Sequence, residues 1–191
     1  MSERLDMAQL AIQLKLAEGL FVTRENGERA YPIIEERLQD IPDNTALVLV
    51  FPPGQLLDAS FVDECVVRLG RRILAGEFDH RAILLEGLTS NSVININSVI
   101  ALHQIKLAFL VVEPTGAWQH IGHLESSLLE VLAFLAERRQ LTAPELSAAM
   151  QLAINTASNR LKRLYDRRLI WREHEITDKG LQYIYHFWQW T

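Results

Sequence analysis

Three short runs in this chain are apolar almost without interruption: ALVLVF at 46–51, the segment from Arg81 to Glu86, and the segment from Lys106 to Val112. A strand that is apolar on both faces belongs inside a sheet covered by helices, so these runs predict a mostly parallel, buried sheet. Pro52, Pro53 and Gly54 terminate the first run. Beyond them Phe61, Val62, Cys65, Val66, Leu69 and Ile73 recur at helical spacing, with Ser60 as the cap and Asp63 three residues on. Gly76 ends that helix. The segment SVININSVIALH at 92–103 is rich in β-branched residues, but it lies between two strands of a parallel sheet and so has to supply the crossover. A helix is predicted there. Upstream, Ala30, Ile33, Ile34 and Leu38 predict a helix over Thr23–Gln39. In residues 1–22, Leu10, Ile12, Leu14 and Leu16 alternate as a half-buried edge strand would, and an N-terminal helix from Glu3 is the alternative.

The pattern changes after residue 124. Thr142, Pro144 and Glu145 form a capping signature, and a helix is predicted to start there and to run to about Met150. A second helix follows after only a few residues. Its apolar stripe is Ile154, Ala157, Leu161, Leu164 and Tyr165, and so short a connection predicts the tight turn of a helix-turn-helix. On the opposite side Asn155, Asn159 and Arg163 stand four residues apart, with Thr156 beside them. Asn pairs bidentately with adenine and Arg with guanine, so this row carries the chemistry of base reading in a major groove. From Ala153 to Arg172 there are six cations against the single acid Asp166. Arg160, Lys162, Arg167 and Arg172 are the predicted phosphate contacts, whose counterion release supplies much of DNA affinity.

Net charge modifies this picture, because −5 is not the balance of a protein that simply coats nucleic acid. Residues 1–123 hold ten Lys and Arg against sixteen acids, whereas 124–191 hold nine against eight. A single basic helix offers few phosphate contacts, so duplex binding is expected from a homodimer that pairs two such faces. At 49% hydrophobic the chain can build real cores. No run approaches the twenty or so apolar residues of a membrane span. The start MSERLDMAQL carries acids and no apolar segment, so a cytoplasmic protein without a membrane partner is expected. The lone Cys65 falls on a helical apolar stripe and reads as a buried small hydrophobe.

Two resemblances follow from these residues. The stretch from Leu124 to Gly180 resembles winged-helix transcription regulators, most specifically over Glu145–Leu164 with ITDKG downstream. LIWREHEIT followed by DKG is similar to their two-stranded wing and the start of the next helix, giving a short wing with His174 and Glu175 near its tip. The N-terminal half, through TRENGERA at 23–30, ALVLVF at 46–51 and LDASFVDE at 57–64, resembles the STAS fold of anti-sigma-factor antagonists. It is closer still to the STAS-like domain of unknown function found beside winged helices. This second resemblance covers about residues 20–115. It implies a phosphorylatable serine at the N-terminus of the helix after the strand. Ser60 lies at a matching position, although Ala59 follows Asp58 where the antagonists carry serine, and Ser60 also reads as a simple helix cap.

Other chemistry finds little support. His120 and His123 with Glu125 have no second pair to complete a metal site, and they fall in the expected linker. No nucleophile elbow or glycine-rich phosphate loop is present, so neither an enzyme nor a cofactor is expected. The tail YIYHFWQWT reads either as buried against the chain or as a dimer interface. The expectation is an α/β STAS-like sensor or scaffold at 1–117 followed by an α+β winged helix at 124–191. Together they would act as a prokaryotic, dimeric regulator that binds double-stranded DNA. A protein-interaction adaptor, with a partner on the STAS-like domain and the winged helix used for oligomerisation, is the alternative.

Overall fold

The computed structural model describes residues 2–17, 19–178 and 180–190, the side chain of Thr177 excepted. The chain divides into two compact units, one formed by residues up to His123 together with Trp190, the other by Leu124–Gln189. Among the described residues no helix is long and apolar enough to cross a membrane.

The first unit is an α/β fold built on a mostly parallel sheet. Its strands β1 (Ser2–Asp6), β3 (Ala46–Val50), β5 (Ala82–Glu86) and β6 (Ala108–Val112) run parallel in that order, and β7 (Trp118–Gly122) closes the edge antiparallel to β6. The two-residue strands β2 (Leu20–Phe21) and β4 (Leu56–Leu57) pair separately. Leu47, Leu49, Ile83, Leu85, Phe109 and Val111 point to one face and share a core with the helices. Those helices are α1 (Met7–Gln13), α2 (Arg24–Asp40), α3 (Ala59–Phe61), α4 (Arg68–Leu74) and α5 (Ser90–Leu102); a π-helical turn, Val62–Val67, joins α3 to α4. Ala46, Val48, Leu84, Leu110 and Val112 on the other face are buried as well. The central strands therefore carry no polar alternation because neither face meets water.

Three details depart from the sequence-based expectation. The edge strand is SERLD rather than the alternating stretch after it. Asp6 accepts hydrogen bonds from the backbone N–H groups of Ala8 and Gln9 at 2.8 and 3.3 Å and so starts a helix. Met7, Leu10 and Ala11 then share the buried face and Ile12 is left exposed, so the helical period wins over the period of two. The second departure concerns Ser60. The helix is capped by Asp58, whose Oδ1 accepts from Phe61 N at 2.8 Å while Oδ2 accepts from Thr23 N at 3.0 Å. Ser60 sits exposed one residue into the helix. The third is the expected linker: residues 118–122 are strand β7, and Gly122 packs so close to Leu107 that an added Cβ would lie 2.3 Å from its carbonyl oxygen. The crossover 90–102 is helical, since Thr89 caps it by accepting from Ser92 N at 3.2 Å.

The second unit runs α6 (Ser126–Arg138), β8 (Gln140–Thr142), α7 (Ala143–Met150), α8 (Ile154–Asp166) and an antiparallel hairpin of β9 (Ile170–Thr177) and β10 (Gly180–Phe187). Its sheet order is β8-β10-β9. Leu128, Val131, Leu132 and Leu135 of α6, Leu146 of α7 and Ala157, Leu161 and Leu164 of α8 are all buried. Thr142 and Glu145 form a complete capping box. Thr142 N donates to Glu145 Oε2 at 2.7 Å, and Glu145 N donates to the Thr142 hydroxyl at 3.4 Å. We expect Thr142→Ala to cost about 0.5–2 kcal/mol, read as a lower urea midpoint with an unchanged slope.

The tight turn between α7 and α8 depends on Gln151, which takes a left-handed conformation at φ 52° and ψ 41°. Ser147 then closes the turn, its hydroxyl donating to Leu152 O at 2.7 Å. The hairpin also differs from expectation. It has two eight-residue strands, and His174 and Glu175 lie in mid-strand opposite Tyr183 and Gln182. The residues after DKG continue as β10 instead of starting a helix. Lys179 lies outside the described residues. Tyr183, Tyr185 and Phe187 repeat every second residue, so a strand places all three on one face. Tyr185, Phe187, Trp188 and Trp190 are buried in the chain itself. Trp188 is fully enclosed and its indole donates to Arg168 O at 3.0 Å.

Candidate nucleic-acid interface

Helix α8 has two unlike sides. Ala157, Leu161, Leu164 and Tyr165 are buried, whereas Asn155, Thr156, Ser158, Asn159, Lys162 and Arg163 are exposed. Ile154, expected on the apolar stripe, is about half exposed at 47% because it precedes the first full turn. The side chains of Asn155, Thr156 and Asn159 make no hydrogen bond among the described residues, so their donors and acceptors face solvent. The helix also begins at Ala153 without a side-chain cap, leaving backbone N–H groups of its first turn for an external acceptor. Beside this end lies a concavity of about 340 Å³ lined by Pro144, Ile154, Asn155, Ser158, Leu181 and Tyr183.

The cations divide into two classes. Arg160 is half-buried and has no side-chain partner among the described residues. Lys162 meets Asp166 at 2.6 Å one turn on, with both side chains about half exposed; such surface pairs are worth little and exchange readily. Arg167 and Arg172, expected to hold phosphates, are instead taken up by the unit's own packing. Arg172 lies between the rings of Tyr165 and Tyr183, 4.1 and 4.0 Å from their centroids. The Arg167 side chain is only 10% exposed and meets Glu125 at 2.8 Å.

Arg163 is bound to the same carboxylate, its Nη2 donating to Glu125 Oε1 at 2.6 Å. One acid at the start of α6 thus holds two arginines spaced one turn apart, Arg163 in α8 and Arg167 at its C-terminal cap. The hydrogen bond from Arg167, with the charges of both arginines behind it, outweighs burial and holds the Glu125 carboxyl down at about 2. Sequence alone groups Glu125 with His120 and His123 and misses this fork. Only the spacing Arg163–Arg167 signals it, since an i,i+4 pair of like charges calls for a counterion.

In the first unit the stretches 23–30 and 57–64 meet. Arg24 donates to Asp63 at 3.1 Å and to Glu64 at 2.6 Å. Arg68 meets Glu64 at 2.6 Å, and His103 Nε2 lies 2.6 Å from Asp63. Burial opposes ionisation of Asp63, yet the hydrogen bonds from His103 and Arg24 hold its carboxyl below the usual range. Gly27 allows the approach, because a Cβ there would stand 3.0 Å from that of Glu64. Ser60 is exposed one residue into α3, and no basic side chain of the described residues bonds to it. The chain matches no protein-family model, and no curated protein is detectably similar to it.

Proposed function

We propose that this protein is a sequence-specific, duplex-DNA-binding transcription regulator of the cytoplasm that acts as a homodimer. In this reading Leu124–Gln189 is a winged helix-turn-helix, with α8 as the recognition helix and the β9–β10 hairpin as its wing. The first unit is a STAS-like domain that senses a signal or holds the dimer together. The observation that carries the reading is the exposed, unbonded row Asn155, Thr156 and Asn159 at the N-terminal end of a helix anchored by Ala157, Leu161 and Leu164. Amide side chains in that position suit adenine edges, and the adjoining Arg160 and Lys162 suit phosphates. Arg163 is left out of the resting contact set because Glu125 holds it.

With so few available cations per chain, affinity requires two half-sites, and the operator is expected to be a pseudo-palindrome. Selection of bound duplexes from fragmented genomic DNA, followed by a salt titration of the recovered site, tests this. Arg160→Ala should lower the slope of log affinity against log salt by about 0.9 per chain, one phosphate contact. A duplex affinity that is flat in salt would end the regulator reading. It would favour a protein-interaction adaptor, the second reading, to which the internal neutralisation of Arg163, Arg167 and Lys162 lends some support.

A further inference from the structure

We infer that Glu125 is a built-in brake on duplex binding, which withholds Arg163 from the nucleic acid until the start of α6 moves. The inference rests on the DNA-binding reading of α8 and adds its regulation.

Glu125 occupies the cap position of α6, where the short side chains of Asp, Asn, Ser or Thr turn an oxygen onto the helix's own N–H groups and the longer Glu is not favoured. Its side chain makes no capping hydrogen bond. The carboxylate is spent on α8 instead, at 2.6 Å from Arg163 Nη2 and 2.8 Å from Arg167 Nη1. The two arginines are not equivalent partners. The Arg167 side chain is 10% exposed and fixed, while that of Arg163 is 47% exposed and able to leave. The pair Glu125–Arg167 therefore anchors α6 to α8, and Arg163 is the removable half. With the carboxylate in place, the two arginines and one acid carry a single net positive charge instead of two, and the Arg163 donors are turned to Glu125 rather than to an incoming phosphate.

The carboxyl stays ionised far below physiological pH, so acidification within the cell does not release the brake. Displacement of the backbone at residue 125 does. Glu125 is the second residue of its unit, and the peptide chain reaches it directly from His123, the last of the strand-rich unit's main segment. A change in the first unit that pulls on residues 123–125 acts on Arg163 through covalent connection. No contact network between distant sites is needed.

The experiment uses the full chain and a fluorescein-labelled duplex of mixed sequence, with anisotropy followed across a salt series. Glu125→Gln keeps the shape and an acceptor oxygen but removes the charge. Affinity at low salt should rise about three- to tenfold, and the salt slope should steepen by about 0.9 as Arg163 gains a phosphate. Adding Arg163→Ala to Glu125→Gln should erase both changes. Native protein that binds in a salt-sensitive way, with Glu125→Gln no tighter, overturns the brake and leaves the DNA reading standing. Absence of salt-sensitive binding by either protein overturns both. If Glu125→Gln melts early, Arg163→Ala in the native background decides. A withheld arginine can be lost with less than about a twofold change in affinity, whereas a tenfold loss shows that it already touches the duplex and overturns the brake.

Discussion

Gly87→Ala is expected to destabilise the first unit by about 3 kcal/mol or more, enough to threaten folding at 37 °C in a domain of ordinary stability. Gly87 follows β5 with φ at +80°, where an L-residue is strained by about 1–2 kcal/mol. Steric overlap costs more than this strain. A Cβ at this position would stand 2.2 Å from the carbonyl oxygen of Phe51, a backbone atom that no rotamer change can move. Phe51 is itself fixed, since its N–H donates to Glu86 O at 2.9 Å and its ring packs edge-on against Phe21. Relief would require β3 and β5 to separate where both turn off the sheet. Gly54→Ala is the control: its φ is +72°, but nothing lies within 4 Å of the added Cβ. It should cost only the backbone strain. Urea denaturation of the two variants in parallel separates strain from overlap. Equal midpoints would mean that the strand ends give way easily.

The second large effect concerns function. Asn155→Ala combined with Asn159→Ala should cost about 2–6 kcal/mol of specific binding to a selected duplex, since each bidentate amide–adenine pair discriminates by about 1–3 kcal/mol. Binding to a scrambled duplex of the same length should hardly change. Both side chains are exposed and make no hydrogen bond among the described residues, so the unfolding free energy should stay within about 0.5 kcal/mol of native. The ratio of selected to scrambled affinity, measured at one salt concentration, is the readout. A double variant that keeps the native ratio would remove α8 as the element that reads sequence. Equal losses on both duplexes would assign these residues to the backbone instead.

Much of the architecture was legible along the chain because it depends on short-range rules. Thr142 and Glu145 are three residues apart and satisfy each other, so the start of α7 needs nothing from elsewhere. The stripe Ala157, Leu161, Leu164 marks the buried side of α8 by period alone, and the amide row opposite follows. The apolar runs at β3, β5 and β6 marked strands covered on both faces. Where two local rules compete, the pattern is less decisive. Asp58 and Ser60 are both good caps, and the choice fell to Asp58 because Thr23, 35 residues away, donates to its second oxygen. Leu10, Ile12 and Leu14 satisfy a strand period, but Asp6 has already turned the chain into a helix.

By itself, then, the sequence determined strands β3, β5 and β6, helices α2, α5, α7 and α8, and which side of α8 is polar. Periodicity and capping are properties of neighbours within one turn or one pleat. The tertiary structure alone decided how charge on that polar side is used. Arg163, Arg167 and Arg172 look alike in sequence, yet one carboxylate 38 residues before the first and 42 before the second engages both, and two tyrosine rings enclose the third. A long cation reaches whatever partner the fold brings within a few ångströms, and that distance is fixed by packing between elements, which no local pattern encodes.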